Sequence, residues 1–310
     1  MSHGFRRNRE IMTELPAFPE FSRLTIDHYL TVQKYTEQFP LYSDFAFSTL
    51  WCWGGEGCHL SDLNGNLVIR LPDYTSPDLF TSFIGRQKVN DTVATLLAAM
   101  RESDHLLPYL QAVPEDNLLN LVPDASYQLT EDRNNYDYIC DLSLLAKMTG
   151  DNYKHFRNKI NRFIKDYNWQ VRQIDLQKEE IWQEIEKVFV TWSGRTQKET
   201  TAIYNALARL KALTGSVGFV AVGLYVADGL VGFMINEPNP SGYVNGVFFH
   251  IDTTYVGASA FLYQQAAIIL SDKGYRYLNI QPDMGLEGLR RSKQSFHPVF
   301  YLRKWRIDRT

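Results

Sequence analysis

The sequence predicts an α/β protein built from two similar units in tandem that share a cleft. Three observations predict it. Helical and strand periodicities alternate along the chain, a second round of elements begins near Gly150, and 310 residues suffice for two units of ordinary size. With 45% hydrophobic and 22% charged residues, the chain carries enough apolar surface for a sizeable core. The expected division is a disordered arm over residues 1–14, a first unit over 15–149 and a second over 150–310. The opening MSHGFRRNREIMTEL lacks the apolar stretch of a secretory signal, and Met12 offers an alternative start.

In the first unit, residues 26–39 carry helical spacing, which Pro40 stops. Aromatic segments follow over 45–53. Residues 59–71 read as a hairpin turned at Asn64-Gly65, because a tight two-residue turn needs positive φ at both positions. Asp91 is placed to cap a helix running to Met100. Residues 118–122 and 136–142 look like strands on either side of a polar turn. In the second unit Asp151 can cap a helix whose stripe is Tyr153, Phe156, Ile160, Phe163, Ile164 and Tyr167. A second helix shows Ile181, Trp182, Ile185, Val188, Phe189 and Trp192 on one face, and a third spans 200–213. The apolar run 217–227 is turned at Asp228-Gly229 into a strand over 230–235. A strand over 243–251, a helix over 258–271 and a strand over 275–281 follow, and residues 301–307 close the sheet. That order is the order of an acyl-CoA N-acyltransferase-like (GNAT-like) domain, and the first unit is a looser version of it.

A net charge of −3 gives no global reason to bind nucleic acid or membrane. Charge is uneven, however. Lys154, Arg157, Lys159, Arg162, Lys165 and Arg172 face only Asp166 in their segment, and seven cations crowd residues 287–309 against Glu287 and Asp308. Such segments can steer a polyanion without making the whole chain basic. The basic helix therefore suits a phosphate backbone, or else is a solvated face. Cys52, Cys58 and Cys140 have no metal spacing and read as reduced, partly buried thiols. No run approaches the ~20 apolar residues of a membrane span, so we expect a cytoplasmic protein with no integral membrane segment. There is no nucleophile-elbow serine and no metal-binding pattern, so neither covalent serine catalysis nor a metal site is expected.

The most telling stretch is YLNIQPDMGLEGLRRSKQSFHP, residues 277–298. An alternating strand puts Asn279 and Gln281 on one face, a Pro-Asp-Met-Gly turn breaks it, and Arg290, Arg291 and Lys293 follow where open sheets most often bind ligands. These three cations can bind phosphate or carboxylate and stabilise an oxyanion; alternatively they pair with Asp283 or Glu287. Asp283 is a candidate general base, or simply organises the turn. Tyr243 and Asn245 share a face on a neighbouring strand and can line the same cleft as Asn279 and Gln281, with His250 and Asp252 at that strand's end. Gly257, Ala258 and Ser259 stand at a helix start, where free amides favour an anion such as a pyrophosphate.

The segments DRNNYDY (132–138), DNYKHFRNKINRF (151–163) and NIQPDMGLEGLRRSKQSFHP (279–298) resemble the DUF2156 proteins, related to the soluble C-terminal domain of phosphatidylglycerol lysyltransferases. The resemblance covers most of residues 20–308. It implies tandem GNAT-like domains, shared with the Fem peptidoglycan-branching enzymes, and transfer of an aminoacyl group from aminoacyl-tRNA to a lipid hydroxyl or a peptide amine. The expected function is thus acyl transfer, with aminoacyl-tRNA as donor, a small-molecule, lipid or peptide acceptor, and no required cofactor. An acyl-CoA-dependent N-acyltransferase and a non-catalytic binding module are the alternatives.

Overall fold

The computed structural model describes residues 12–73, 78–100, 106–122, 125–195 and 200–310. Of the expected arm, residues 1–11 lie outside them, whereas Thr13 is held, its carbonyl accepting the Thr31 hydroxyl at 2.6 Å. Two seven-stranded sheets carry the described fold. The first runs β1 (Ser22–Arg23), β2 (His59–Leu63), β3 (Asn66–Pro72), β4 (Leu79–Ile84), β5 (Leu106–Pro114), β14 (Lys304–Arg309), β6 (Tyr127–Glu131). The second runs β8 (Trp169–Gln173), β9 (Val220–Val226), β10 (Gly229–Pro238), β11 (Tyr243–Ile251), β12 (Tyr277–Asn279), β7 (Asp137–Asp141), β13 (Phe300–Leu302). Each sheet is antiparallel except at its fourth and fifth strands, β4–β5 and β11–β12, which are parallel. The two sheets therefore repeat one pattern.

The expected boundary between 149 and 150 does not separate the sheets. β7 precedes it in sequence and pairs in the second sheet, between β12 and β13, while β14 inserts into the first sheet between β5 and β6. The single closing strand expected over 301–307 is likewise two strands, split at Arg303 and belonging to different sheets. The strand expected over 118–122 is absent; a short helix, Glu115–Leu118, ends there, with Asn117 buried and donating to the Phe83 carbonyl at 2.6 Å. Both hairpins form: Asn64 and Gly65 turn the first with φ of 59° and 80°, whereas the second turns at Ala227 and Asp228, φ 48° and 65°, one residue before the expected Asp228-Gly229, and Gly229 already pairs with Val226. Asp91 lies inside the first turn of the Val89–Ala99 helix rather than capping it.

Helices follow their apolar stripes. The Lys154–Asp166 helix buries Phe156, Ile160 and Phe163 against the Ala258–Asp272 helix, Phe163 meeting Phe261 at 5.1 Å between ring centroids. Burying each such side chain contributes roughly 1.5–3 kcal/mol. The Glu179–Ser193 helix buries Trp182, Ile185, Val188 and Phe189 in a core that also holds Phe45, Leu50 and Cys52 of the first unit with Phe233, Ile235 and Phe248 of the second. One apolar cluster thus spans both units. All three cysteines are free and buried.

Polar groups join the units as well. Lys304 on β14 is fully buried and ion-pairs with Asp44 and, at 2.9 Å, with Asp137 on β7. Ser43 completes the cluster, giving its backbone N–H to Asp137 Oδ2 at 2.7 Å and its hydroxyl to Oδ1 at 2.5 Å. Burial alone pulls the Lys304 pKa down, but Asp137 and Asp44 outweigh it and hold the ammonium above its ordinary value. Glu237, also buried, accepts from the Ser48 N–H at 3.0 Å across the same junction, and burial raises its pKa.

Removing one partner of a buried ion cluster leaves uncompensated charge. Lys304→Ala is therefore expected to lower the unfolding free energy by about 3–5 kcal/mol in urea titrations, and far-UV dichroism and tryptophan fluorescence should move together because the core is continuous.

Candidate functional site

β11 and β12 pair in parallel through Tyr243–Tyr277, Val244–Leu278 and Asn245–Asn279, and then part. β11 continues to Ile251, while the other chain turns away at Gln281, whose φ is 64°. The β10–β11 register also shifts here: Ile235 pairs with Phe248 and Asn236 with Gly246, so Val247 is the extra residue of a bulge. The wedge between the parted strands is a cavity of about 270 Å³. Gly246 and Val247 line one side, Ile280, Gln281 and Lys293 the other, and Ser259 and Tyr263 of the Ala258–Asp272 helix close the back. It lies at the carboxyl ends of parallel strands, where open α/β sheets bind ligands.

Gln281 is held from two sides. Its backbone N–H donates to Asn279 Oδ1 at 2.7 Å and its side-chain Nε2 to Asn245 Oδ1 at 3.3 Å. The two asparagines are buried and anchored in turn on the first unit, Asn279 donating to the Leu41 carbonyl at 2.7 Å and Asn245 to the Thr49 hydroxyl at 3.4 Å. They support the wall and do not enter the cavity. With its amide nitrogen engaged, the Gln281 Oε1 is the acceptor that remains for a ligand.

Lys293 lies on the Glu287–Gln294 helix, and its Nζ donates to the carbonyls of Ile280 and, at 3.1 Å, Gln281. An ammonium has three N–H donors, so one is left for the cavity that Lys293 lines. Desolvation lowers its pKa to about 8, opposed by the charges of Asp137 and Asp283. At neutral pH it is mostly charged.

Asp283 is not placed to act as a base. Its carboxylate is fully buried and accepts from Arg290 Nε at 2.8 Å and Nη2 at 2.9 Å, from the Tyr138 hydroxyl at 2.5 Å, from Arg133 at 3.3 Å and from the Gly285 N–H at 2.8 Å. Burial would raise its pKa, but the Arg290, Tyr138 and Gly285 hydrogen bonds lower it to about 2. A carboxylate so satisfied organises the turn and the start of the Lys293 helix. Arg290 is engaged there and with Asn134 Oδ1 at 2.9 Å, so it too is structural, as the ion-pair alternative held. Sequence reasoning did not assign Arg133 and Tyr138 to this cluster, although both belong to the DRNNYDY stretch, which carried the signal.

Other candidates lie away from the cavity. Arg291 is exposed and faces Glu287 at 3.6 Å. Tyr243 packs against Tyr277 with ring centroids 5.0 Å apart and the planes tilted by 39°. His250 is packed among Phe189, Trp192, Phe233 and Phe248, and desolvation lowers its pKa to about 4, so it is a neutral core residue. Asp252 caps Thr254, accepting its N–H at 3.0 Å, and pairs with Arg195. Gly257, at φ 91°, allows a helix contact: a Cβ there would stand 2.2 Å from the Lys159 carbonyl oxygen. The Ala258 N–H donates to the Tyr255 carbonyl at 3.1 Å, so of this trio only Ser259 faces the cavity. On the basic helix Lys154, Lys159 and Lys165 are exposed, Arg162 pairs with Asp166 at 3.3 Å, and Arg157 caps the carbonyls of Met148 and Gly150 at 2.7 and 2.6 Å. Among the described residues no helix is long and apolar enough to cross a membrane.

A parallel pair at the same place in two otherwise antiparallel sheets, splayed around a cavity in the second, defines a tandem GNAT-like fold. The family model described as phosphatidylglycerol lysyltransferase, C-terminal, matches residues 36–307, and the chain belongs to that family. Among solved structures it is similar to a conserved protein of unknown function from Bacteroides thetaiotaomicron, at 23% identity over 96% of this chain and 100% of that one, with a TM-score of 0.81. It is also similar to L-PGS from Bacillus licheniformis, at 16% identity over 96% and 94% of the two chains, with a TM-score of 0.62. A third likeness is the C-terminal DUF2156 domain of a lysylphosphatidylglycerol synthetase homologue from Agrobacterium fabrum, at 11% identity over 91% and 92%, with a TM-score of 0.64. No protein of curated function matches.

Because the Asp283 pKa falls from 3.8 to about 2 on folding, its contribution to stability is present above the higher value and lost as pH drops through the lower. Asp283→Asn should therefore flatten the acid limb of stability across that window, measured by dichroism-monitored unfolding.

Proposed function

We propose that the chain is an aminoacyltransferase that moves an aminoacyl group from aminoacyl-tRNA to an amine or hydroxyl acceptor, lipid or peptide-like, in the cavity between β11 and β12. The observation that carries this reading is Lys293, a mostly charged ammonium with one unengaged N–H at the wall of a small cavity beside the Gln281 amide oxygen. Family membership supports the same class of chemistry. The acceptor lone pair attacks the ester carbonyl, the Lys293 ammonium stabilises the oxyanion, and the carbon–oxygen bond to the tRNA ribose then breaks. The proton lost by the acceptor ends on the departing ribose oxygen. No covalent enzyme intermediate and no cofactor is needed. Juxtaposing two reactants can itself supply roughly 7–11 kcal/mol of the barrier, which suits a site with few groups for proton chemistry.

Acyl-CoA fits less well as donor. The loop that would cradle its pyrophosphate has Gly257 against the Lys159 carbonyl and the Ala258 amide already bonded. The exposed Lys154, Lys159 and Lys165 offer instead a strip for the tRNA backbone.

Transfer of radiolabelled amino acid from charged tRNA into a cell extract tests the reading; absence of transfer with every amino acid, together with no tRNA binding at low salt, would refute it. Lys293→Met should lower kcat/KM by at least ~100-fold with the fold intact. Since the charged form is the active one, wild-type kcat/KM should fall as pH rises through about 8. Replacing Lys154, Lys159 and Lys165 with Ala should weaken tRNA binding and reduce its log–log salt slope by about 2–3.

A further inference from the structure

Among the described residues, no acidic side chain lines the cavity beside Lys293. Its polar lining consists of Ser259, Gln281, Ser292, Lys293 and the Tyr263 hydroxyl, and Met234, Phe249 and Leu289 make much of the remaining wall. Of the two carboxylates nearest in sequence, Asp283 is buried beneath Arg290, Arg133 and Tyr138, and Glu287 is exposed, faces Arg291 at 3.6 Å and does not line the cavity. We propose that the aminoacyl group transferred here has an uncharged, small or apolar side chain and is not a lysyl or arginyl group. This rests on the aminoacyl-transfer reading and specifies its donor.

A distal ammonium or guanidinium entering the cavity would give up water and find a second cation in place of a carboxylate. Desolvated charge is tolerated only when it is paired, and like charges juxtaposed at an interface cost several kcal/mol. The α-amino group, common to every aminoacyl ester, differs in having the Gln281 amide oxygen and the Ser259 and Ser292 hydroxyls as neutral acceptors. Beyond those groups a distal cation meets Met234, Phe249 and Leu289, with the Tyr263 hydroxyl as a neutral acceptor and no carboxylate among the described lining residues. Size agrees. A cavity of ~150 Å³ accommodates a benzene ring, and this one, at about 270 Å³, admits an aliphatic or aromatic side chain while leaving the nucleotide outside.

The test uses the full chain with leucyl-, alanyl- and lysyl-tRNA, each carrying a radiolabelled amino acid, and the same cell extract as acceptor source. Leucyl or alanyl transfer exceeding lysyl transfer by at least ~100-fold in kcat/KM is expected. Leu289 is 37% exposed at the cavity rim and can be changed without opening the core. Leu289→Asp, which supplies the missing carboxylate, should narrow the leucyl-to-lysyl ratio by at least ~10-fold, since a charge-assisted hydrogen bond is the stronger kind. Lysyl transfer equal to or faster than the other two would overturn the inference while leaving aminoacyl transfer standing. No transfer from any of the three would overturn both. If the variant does not fold, the wild-type ratio decides.

Discussion

Lys304 holds the two halves of this protein in register. Its ammonium is buried where a strand of the second half enters the first sheet, and its counter-ions come from Asp137, on the strand that crosses the other way, and from Asp44 near the start of the first unit. A lone buried ammonium would be intolerable. Bringing all three groups together requires that both crossings be made correctly, so the cluster acts as a specification of topology as much as a source of stability. The apolar cluster joining Phe45 and Leu50 to Phe233 and Phe248 then has only one way to close.

The wall of the cavity is derived from that junction. Asn245 and Asn279, which fix Gln281, are themselves tied to Thr49 and Leu41 of the first unit. The opposite wall depends on the Asp283 cluster, in which Arg133 and Tyr138 lie on the approach to and within β7. Residues from both halves therefore set the position of Lys293 and Gln281, although among the described residues those lining the cavity all come from the second half. The cations that dominate the local sequence divide sharply in role: Arg290 neutralises a buried carboxylate, Arg291 faces water, and Lys293 alone of the three lines the cavity.

Local features of this fold were legible because their physics is local. Asn64-Gly65 and the turn at Asp228 demanded hairpins, and the Phe156, Ile160, Phe163 spacing demanded a helix packed on one side. The alternation of residues 277–281 correctly separated Leu278 from Asn279, yet it could not tell what covers the polar face, which is the Leu41 backbone rather than a ligand. For the same reason Asp283 read as a candidate base: its partners Arg133 and Tyr138 are distant in sequence. His250 looked like a strand-end residue beside the cleft, whereas the rings of Phe189 and Trp192 that enclose it come from another helix. The break at Arg303 was invisible because three apolar or aromatic residues on one side and an alternating segment on the other both satisfy strand propensity.

The reciprocal exchange of β7 and β14 bears on how such a chain is made. A ribosome delivers β1 to β6 early, but the slot between β5 and β6 stays vacant until the whole second unit has been synthesised. The amino-terminal half thus cannot mature ahead of its partner as an independent tandem domain would. Cutting the gene between the units separates β14 from the first sheet and β7 from the second, leaving two incomplete pieces rather than two modules.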